Sequence, residues 1–400
     1  MLSIPENILL FLCGFGTLQG VLLAAVLYFH PKADRSVSTF LALYIFCISV
    51  PILMPLVQYL FSWQIILLVE PVTVLIGPLL YLYVRSFKES LTWRKAWPHL
   101  IIFIPYVLIS WWSYVNLGSK YPRTITVPHE FARHPVNYIP ILIRISLRLL
   151  YFFLSMQALT SYQRSIRHLF SDISRINLSW VRWLINGNLV ILTIIITVYI
   201  MMLQYPQHIG LWLLISGCIV TIYIYLAAWQ GVSQPTIWQI QPSITKTDLE
   251  TILAEAAPEP ATTETEKETP KPRKAGLSEA RINEITTRII TLMETDKLYQ
   301  EPELTLQQLA FRLQLSVHQL SQAINDGMKK NFYDLVNGYR VEEAKRLLLQ
   351  EKTANYTLLS IGFEAGFNSK TTFNTVFKKF TGLTPSDFRQ QQNQLSLISN

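Results

Sequence analysis

Long apolar runs fill the first part of the chain. A helix that crosses a bilayer needs about 20 predominantly apolar residues. Seven stretches reach that length, at approximately 7–29, 37–61, 64–84, 98–117, 137–162, 181–204 and 208–230. The pattern predicts an N-terminal domain over residues 1–231 with about seven transmembrane helices.

The pattern changes twice after this region. Residues 232–276 include a run of Pro, Thr, Glu and Lys at 256–275 with no large apolar side chain. Such a composition cannot bury a core, so residues 232–276 are predicted to be a flexible cytoplasmic linker. From residue 277 onward, apolar residues recur at helical spacing and capping residues separate them. Residues 277–400 are therefore predicted to form a helical domain, and the whole chain is predicted to be all-α.

Helices in the C-terminal domain are predicted at 278–294, 305–313, 316–326, 331–350, 357–364, 369–380 and 384–390. Two short helix pairs lie within this series. The first helix pair covers 305–325 and the second covers 357–380. Each has an apolar helix, a tight turn and a second helix that begins at serine, which is the helix-turn-helix arrangement.

The second helix of each pair has an apolar and a polar face. The predicted inward side chains are Val317, Leu320 and Ile324 in the first pair and Phe373, Phe377 and Phe380 in the second. The predicted outward side chains are His318, Gln319, Gln322 and Asn325, then Thr371, Asn374, Thr375 and Lys378. Gln and Asn suit adenine edges, and Lys suits guanine or phosphate. An ordinary solvated face has the same composition, but its repetition in both pairs favours DNA recognition.

One segment carries a family resemblance. Residues 361–389 read IGFEAGFNSKTTFNTVFKKFTGLTPSDFR, and residues 337–349 read NGYRVEEAKRLLL. Residues 277–390 resemble the DNA-binding domain of AraC/XylS-type transcription regulators, with Gly362 at a position where that family usually has alanine. The resemblance implies two helix-turn-helix units joined by a long helix, with both recognition helices in adjacent major grooves.

The resemblance also implies which side chains contact DNA. Carried over by position, the base-reading residues are His318, Ser321, Gln322, Lys370, Thr371, Asn374 and Thr375. The residues expected to contact phosphate are Lys329, Lys330, Arg340, Lys378 and Lys379. Since Ser321 lies on the flank of its predicted helix face, its assignment rests on the resemblance alone.

Charge is distributed unevenly along the chain. The net charge of +8 divides into +9 for residues 1–231, −2 for 232–276 and +1 for 277–400. With the N-terminus outside, the inner loops hold ten Lys and Arg residues and the outer loops hold three. This positive-inside bias predicts a multi-pass protein of the inner membrane with a cytoplasmic C-terminal domain. The excess charge is thus explained without a nucleic-acid ligand.

Charged residues also lie well inside two of the predicted spans. Intramembrane charges face a partner or a cavity, so Glu70 and one of Arg144 and Arg148 form part of a ligand or signalling site or a static structural pair. In the other alternative, the span of the two arginines begins elsewhere and they snorkel to the membrane surface. The three cysteines show no metal or disulfide spacing, and His129 and His134 do not fit the zinc-protease motif. No catalytic set, metal site or cofactor is predicted, so the protein is not expected to be an enzyme.

The layout resembles bacterial one-component regulators that join a multi-span region to this type of DNA-binding domain. It implies a membrane-anchored transcription regulator controlled by an unidentified small-molecule or membrane signal. The expected partners are double-stranded DNA, the lipid bilayer and a second copy in a homodimer. The alternative is a membrane transporter or enzyme with a DNA-binding regulatory tail. In a third interpretation the spans serve only as a passive anchor.

Overall fold

The structure of the chain is a computed structural model. It describes residues 4–30, 35–116, 118–121, 134, 138–174, 176–205, 208–232, 277–350 and 356–398. These residues form helices, turns and one isolated antiparallel bridge, with no strand among them, so the all-α prediction is confirmed. Apart from residue 232, the predicted linker lies outside the described residues, as do His129 and Glu130 of the predicted outer loop.

The chain divides into two compact units. The first contains Met1–Tyr162 and Leu178–Thr247, and the second contains Gln163–Asn177 and Asp248–Asn400. The sequence pattern placed 163–177 in the membrane domain, whereas the structure groups these residues with the C-terminal unit. Residues 163–177 supply part of the interior of the second unit.

The first unit is a set of apolar helices. Their bounds are α1 Ile4–Phe29, α2 Arg35–Ser49, α3 Met54–Leu60, α4 Ile66–Val69, α5 Ile76–Arg85, α6 Trp93–Leu100, α7 Phe103–Asn116, α8 Tyr138–Leu169, α9 Ser179–Gln204 and α10 Ile209–Val232. The last residues of α8, from Gln163, belong to the second unit.

Several of these helices combine into stretches of membrane-spanning length. Six stretches of the described residues are long and apolar enough to cross a membrane: Leu10–Phe29, Arg35–Leu60, Leu67–Arg85, Trp93–Asn116, Tyr138–Leu169 and Ser179–Met201. In the region of the seventh predicted span, α10 contains the shorter apolar segment Leu214–Ala227. Six of the predicted spans therefore have counterparts of sufficient length.

Short 3₁₀ turns interrupt the second and third of these stretches. They lie at Val50–Leu53 and Glu70–Leu75, and a further 3₁₀ turn, Trp63–Ile65, lies between the two stretches. Two of them have proline in the first turn, at Pro51 and Pro71. Proline lacks an N–H and its ring crowds the preceding turn, so it favours a break in the helix that precedes it. The breaks thus follow from the sequence.

Small residues let helices approach closely within the first unit. A Cβ on Gly20 of α1 would lie within bonding distance of the Ser49 side chain of α2, and one on Gly187 would meet the ring of Tyr223. Tyr44 and Tyr223 share a buried hydroxyl hydrogen bond of 2.9 Å. The Asn188 amide donates to the Tyr44 hydroxyl at 3.2 Å. Small residues and interhelical hydrogen bonds are typical of helix packing in membranes.

The second unit contains the predicted helical domain. Its helices are α11 Glu279–Thr295, α12 Leu306–Leu313, α13 Val317–Gln322, α14 Phe332–Leu349, α15 Leu358–Glu364, α16 Lys370–Thr381 and α17 Pro385–Ile398. A 3₁₀ turn covers Leu298–Gln300, and a π-helical turn, Ala323–Gly327, follows α13. The predicted helix positions are close to the observed ones, except that α17 is longer than predicted.

Polar side chains fix where these helices begin. The side chains of Thr305 and Ser316 each accept a hydrogen bond from the backbone N–H three residues later, and the side-chain oxygens of Gln308 and Gln319 accept one from the backbone N–H of the cap residue. These reciprocal capping boxes satisfy N–H groups that a helix start leaves unpaired. The side chains of Asn331, Thr357 and Ser369 cap the later helices, each accepting a hydrogen bond from the backbone N–H three residues later.

Helix α14 lies between two hydrophobic cores. Its first part contributes Phe332, Leu335 and Val336 to a core formed with α11, α12 and α13. Its second part contributes Val341, Ala344, Leu347 and Leu348 to a core formed with α15 and α16. Each helix pair thus has its own core, and one helix of 18 residues supplies side chains to both.

Candidate nucleic-acid interface

The same turn joins the helices of both pairs. Gln314 ends α12 with φ +56°, and the Leu315 N–H donates to Ala310 O at 3.0 Å. Gly366 follows α15 with φ +96°, and the Phe367 N–H donates to Gly362 O at 2.9 Å. A left-handed residue with this bond to an earlier carbonyl is a common helix C-terminus. The two predicted helix-turn-helix units are thus built alike.

The second turn requires glycine for two reasons. Positive φ disfavours a side chain, and a Cβ on Gly366 would lie 2.5 Å from the carbonyl oxygen of Tyr299. Gly362 is tightly packed as well, because a Cβ there would lie 2.8 Å from Cδ1 of Phe373. The departure from the alanine usual in AraC-type domains is therefore accommodated by the Phe373 ring.

Helix α13 exposes part of its predicted base-reading set. His318 is exposed and Gln322 is half-buried, with the Gln322 side-chain oxygen accepting a hydrogen bond from the Leu277 N–H at 3.5 Å. Ser321 is only 6% exposed and its hydroxyl accepts a hydrogen bond from Asn325. The structure thus does not support base reading by Ser321, since its side chain faces the interior. Leu320 and Ile324 are buried as predicted, and Val317 packs partly against the same core.

Helix α16 presents the clearer polar face. Lys370, Thr371 and Thr375 are exposed, and Asn374 is half-buried. The inner face is formed by Phe373, Val376 and Phe377, each at most 1% exposed. Phe380 was predicted to be inward, but its side chain is 40% exposed. Val376 occupies the inner face one turn before Phe380, and the core ends there.

The lysines predicted to contact phosphate are on the surface. Lys329, Lys330, Lys378 and Lys379 are all exposed. The Lys379 ammonium is 2.6 Å from a carboxylate oxygen of Asp334 and 5.6 Å from the centre of the Tyr333 ring. Lys379 therefore has intramolecular partners for its charge. Lys378, one residue earlier, has no ion pair among the described residues.

Arg340 requires a correction. It was predicted to contact phosphate, but its side chain is 0% exposed, so it cannot reach a DNA backbone in this structure. Burial lowers the pKa of Arg340 to about 10, while the nearby Asp172 carboxylate acts in the opposite direction. The guanidinium is still charged at neutral pH, so a full positive charge lies inside the unit.

Neutral oxygens surround that charge. Arg340 Nε donates to Tyr299 O at 2.7 Å, and Nη2 donates to Glu301 O at 2.7 Å and Pro302 O at 3.3 Å. The Ser171 hydroxyl accepts a further bond from Nη2 at 3.2 Å. A buried charge is tolerated when its hydrogen-bonding capacity is satisfied. Arg340 thereby connects α14 to the 299–302 segment and to residues 163–177.

Sequence reasoning did not identify Ser171. It lies after α8 and is 166 positions before Asn337 in the chain, yet the Asn337 amide donates to Ser171 O at 2.9 Å. No local pattern predicts a contact over such a separation. The only local signal was Asp172, an acidic residue in a predicted inner loop rich in arginine.

Of the three charged residues Glu70, Arg144 and Arg148, two form an ion pair and one is a single arginine. Arg144 forms an ion pair with Glu70, which begins the 3₁₀ turn Glu70–Leu75. One turn further along α8, the Nη1 of Arg148 is buried and has no hydrogen-bond partner among the described residues. Arg148 lines a small cavity with Tyr151 and Asn188. The structure thus pairs Glu70 with Arg144 rather than with Arg148.

The described residues contain no candidate metal site. No group of three or more His, Cys, Asp or Glu side chains that could hold a metal ion occurs within the part of the chain that the structure describes. Cys13 and Cys47 are buried free thiols, and Cys218 is a half-buried free thiol. The predictions of no metal, no cofactor and no enzymatic activity stay predictions.

Comparisons with known proteins agree with the geometry of the second unit. Residues 309–391 match a family described as a helix-turn-helix domain. Two similar proteins are uncharacterised HTH-type transcriptional regulators. YtdP of Bacillus subtilis is 32% identical over 95 residues, which cover 24% of this chain and 12% of YtdP. The other, in the cgkA 5′ region of Pseudoalteromonas carrageenovora, is 28% identical over 88 residues, covering 22% of this chain and 50% of that protein.

The family match lies in the C-terminal part of the chain, and the matches to the two relatives span half or less of the relatives' own lengths. No solved structure matches the chain. The matched region begins in α12 and ends in α17, so it includes both turns, the shared helix α14 and both recognition helices. The C-terminal region of this chain is a helix-turn-helix domain of the AraC type.

Proposed function

We propose that the protein is a membrane-anchored transcription regulator. It binds duplex DNA in a sequence-specific manner through its two helix-turn-helix units, and a signal acting on the N-terminal bundle controls that binding. The observation that carries the proposal is the paired architecture. Two like-built helix pairs each present a polar face and share α14.

The length of α14 supports simultaneous reading of two sites. Its 18 residues correspond to about 27 Å of α-helix. Successive major-groove faces on one side of a duplex are about 34 Å apart. Two recognition helices joined by a helix of this length can therefore enter adjacent major grooves. The proposed base readers are His318, Gln322, Lys370, Thr371, Asn374 and Thr375, and the proposed phosphate contacts are Lys329, Lys330, Lys378 and Lys379.

The six long apolar stretches support the membrane location. The proposed orientation has the N-terminus outside and the helix-turn-helix domain in the cytoplasm, because ten Lys and Arg residues lie in the predicted inner loops. A cysteine-free chain with Lys120→Cys or Lys329→Cys tests this in intact cells. A membrane-impermeant maleimide is expected to label the first and not the second. Equal labelling, or the reverse, contradicts the orientation.

DNA binding is tested by sequence selection on random duplex DNA with the full chain in lipid nanodiscs. We expect a motif of two blocks separated by about one helical turn, 10–10.5 base pairs. His318→Ala is expected to lower the base discrimination in one block of the motif, and Asn374→Ala in the other block. The expected loss of discrimination is about 1–3 kcal/mol in each variant. Thr291→Ala is the control, because Thr291 is exposed on α11 and its hydroxyl bonds to its own helix. Selection without any motif contradicts sequence-specific reading.

We place the signal-sensing site at the Glu70–Arg144 pair and the neighbouring Arg148. The pair lies where a proline-containing 3₁₀ turn interrupts the spanning stretch. Broken helices with polar groups are typical of ligand and ion sites in membranes. Charge reversal at either residue is expected to alter regulated transcription, and the Glu70→Arg/Arg144→Glu double variant is expected to restore it. If the double variant recovers nothing, the pairing has no role in signalling.

The same break is what favours the alternative of a transporter with a DNA-binding tail. The two interpretations predict different results for the bundle. A transporter moves its substrate into proteoliposomes even when the helix-turn-helix domain is deleted, whereas a sensor does not. Replacing the spans with an unrelated anchor distinguishes a sensor from a passive anchor, because only a passive anchor leaves the transcriptional response unchanged.

A further inference from the structure

Residues 163–177, named here the coupling segment, are an integral part of the second unit. The segment consists of the end of α8 and the turn that leads to α9. Its ends are tied together, because the Gln163 side chain donates to Asn177 O at 2.6 Å. Two apolar stretches of spanning length, Tyr138–Leu169 and Ser179–Met201, are therefore joined through a piece of the DNA-binding unit.

Polar contacts hold the centre of the segment. The Ser171 side chain is 0% exposed, and both its N–H and its hydroxyl donate to Leu304 O, at 3.2 and 2.7 Å. Its carbonyl accepts the Asn337 amide, and its hydroxyl accepts Arg340 Nη2. Phe170 also forms an antiparallel bridge with Thr305, the cap residue of α12. One serine thus contacts both the middle of α14 and the start of the first helix pair.

Apolar contacts extend from this point into both cores. Leu169 is 2% exposed and belongs to the core of the first helix pair, and Phe170 packs against that core. Ile173 packs against the core of the second helix pair. Arg167 lies with its guanidinium carbon 6.0 Å from the centre of the Tyr333 ring on α14. The segment therefore touches both halves of the domain where they meet.

We propose that the coupling segment is an internal ligand of the helix-turn-helix domain, which holds the two helix pairs in the arrangement that binds DNA. Movement of α8 or α9 displaces the segment and lowers DNA affinity. The proposal rests on the proposed function and adds a site of regulation to it. It assigns to Ser171 the role of a positioning residue.

The direction of the effect follows from which surfaces stay open. With the segment docked, His318 on α13 and Lys370, Thr371 and Thr375 on α16 are exposed. The docked segment leaves these side chains uncovered, although its His168 hydrogen-bonds to Asn325 beyond the end of α13, and the docked state is the one competent to bind. Displacement leaves Arg340 without the Ser171 acceptors and opens the interior at Leu169, which loosens the junction between the helix pairs. Coupling of this kind typically changes affinity by a factor of about 5–150.

Docking is tested first, by disulfide formation in membranes. Residues opposite each other in an antiparallel bridge have Cα atoms about 4.5–5.5 Å apart, which suits a disulfide. Phe170→Cys/Thr305→Cys in a chain lacking the native cysteines is expected to crosslink on addition of an oxidant. The control pair Phe170→Cys/Thr291→Cys is expected not to crosslink. Equal crosslinking of both pairs, or of neither, overturns docking.

The consequence for DNA is tested with two matched charge additions. Ser171→Arg places a second cation against buried Arg340, whereas Ser174→Arg adds the same charge at an exposed position of the same segment. In full-length chain in nanodiscs, with the selected duplex as probe, Ser171→Arg is expected to bind about tenfold more weakly. Ser174→Arg is expected to bind as the unaltered chain does. Equal affinity of both variants overturns the proposal.

Hydrogen exchange separates displacement from unfolding. In Ser171→Arg, we expect faster exchange at 298–305 and in α14, with α16 still protected. If α16 also loses protection, Ser171→Ala replaces the first variant, since it removes only the hydroxyl, and a several-fold loss of affinity is expected. Unchanged affinity in Ser171→Ala then overturns the proposal. If the unaltered chain selects no DNA motif, the proposed function fails, whereas the crosslink still reports docking.

Discussion

Replacing Arg340 with methionine distinguishes a structural role from a DNA contact. Methionine is unbranched and uncharged but shorter than arginine, so the variant keeps the apolar stem and removes every hydrogen bond of the guanidinium. The carbonyls of Tyr299 and Pro302 lose this donor in the interior. Each buried acceptor left without a partner costs about 1–3 kcal/mol. Part of this loss is offset, because methionine avoids the desolvation that lowers the pKa of Arg340.

We therefore expect Arg340→Met to lower the free energy of local unfolding of α14 by about 2–4 kcal/mol. The assay is native-state hydrogen exchange of the full chain in nanodiscs. Arg346→Met is the matched control on the same helix. Its side chain is 48% exposed, and its partner Glu343 keeps Lys297 at 3.7 Å as a second partner, so its loss is expected to cost about 1 kcal/mol, less than the loss of Arg340.

DNA binding provides the refuting result. A residue that contacts phosphate contributes about one unit to the slope of log affinity against log salt concentration. A buried Arg340 contributes nothing to that slope. If Arg340→Met lowers the slope by about one unit and exchanges no faster than Arg346→Met, then Arg340 contacts DNA and the argument from burial is wrong.

Three further predictions concern the turns, a surface lysine and a buried carboxylate. Gln314→Gly is expected to stabilise the first turn by about 0.5–1 kcal/mol, because glycine relieves its positive φ. Gly366→Ala is expected to destabilise the second turn by about 2 kcal/mol or more. Thermal melts of the full chain test both variants. Lys378→Ala is expected to lower the salt slope by about one unit while the selected motif stays the same. The pKa of Glu343 is lowered by hydrogen bonding to Arg346, so its stabilising contribution is present at neutral pH and is lost as the pH falls below about 4.5. Glu343→Gln is expected to abolish that acid-dependent loss, measured by exchange of α14 at several pH values.

Local patterns predicted much of the second unit. Four helices were predicted to begin at 305, 316, 357 and 369, and in the structure the side chains of Thr305, Ser316, Thr357 and Ser369 cap helices there. A cap acts within a few residues of the chain, so local sequence is enough to predict it. Helical periodicity also identified most of the inner faces. It failed at Phe380, since periodicity assigns a direction to a side chain but does not say where the core ends.

Local sequence patterns did not predict the contacts between residues far apart in the chain. In the sequence, Arg340 is a basic residue in a helix of mixed charge, which is typical of a DNA contact. The structure shows that it is buried, with acceptors from 299–302 and from Ser171. The Glu70–Arg144 pair could be anticipated, because two opposite charges in apolar spans need partners. The choice of Arg144 rather than Arg148 depends on how α8 packs, which the spacing along one helix does not determine.

The discontinuity of the second unit has a consequence for biosynthesis. Its first piece, 163–177, is synthesised before α9 and α10, and the remainder follows after them. The interior around Ser171 and Leu304 can thus form only after both apolar helices have left the ribosome. A fragment released by cleavage between α10 and α11 lacks Leu169, Ser171 and Ile173, and thereby part of its own interior. The assembly order thus ties a complete DNA-binding unit to a chain that still carries its apolar helices, and it limits the activity of soluble breakdown products.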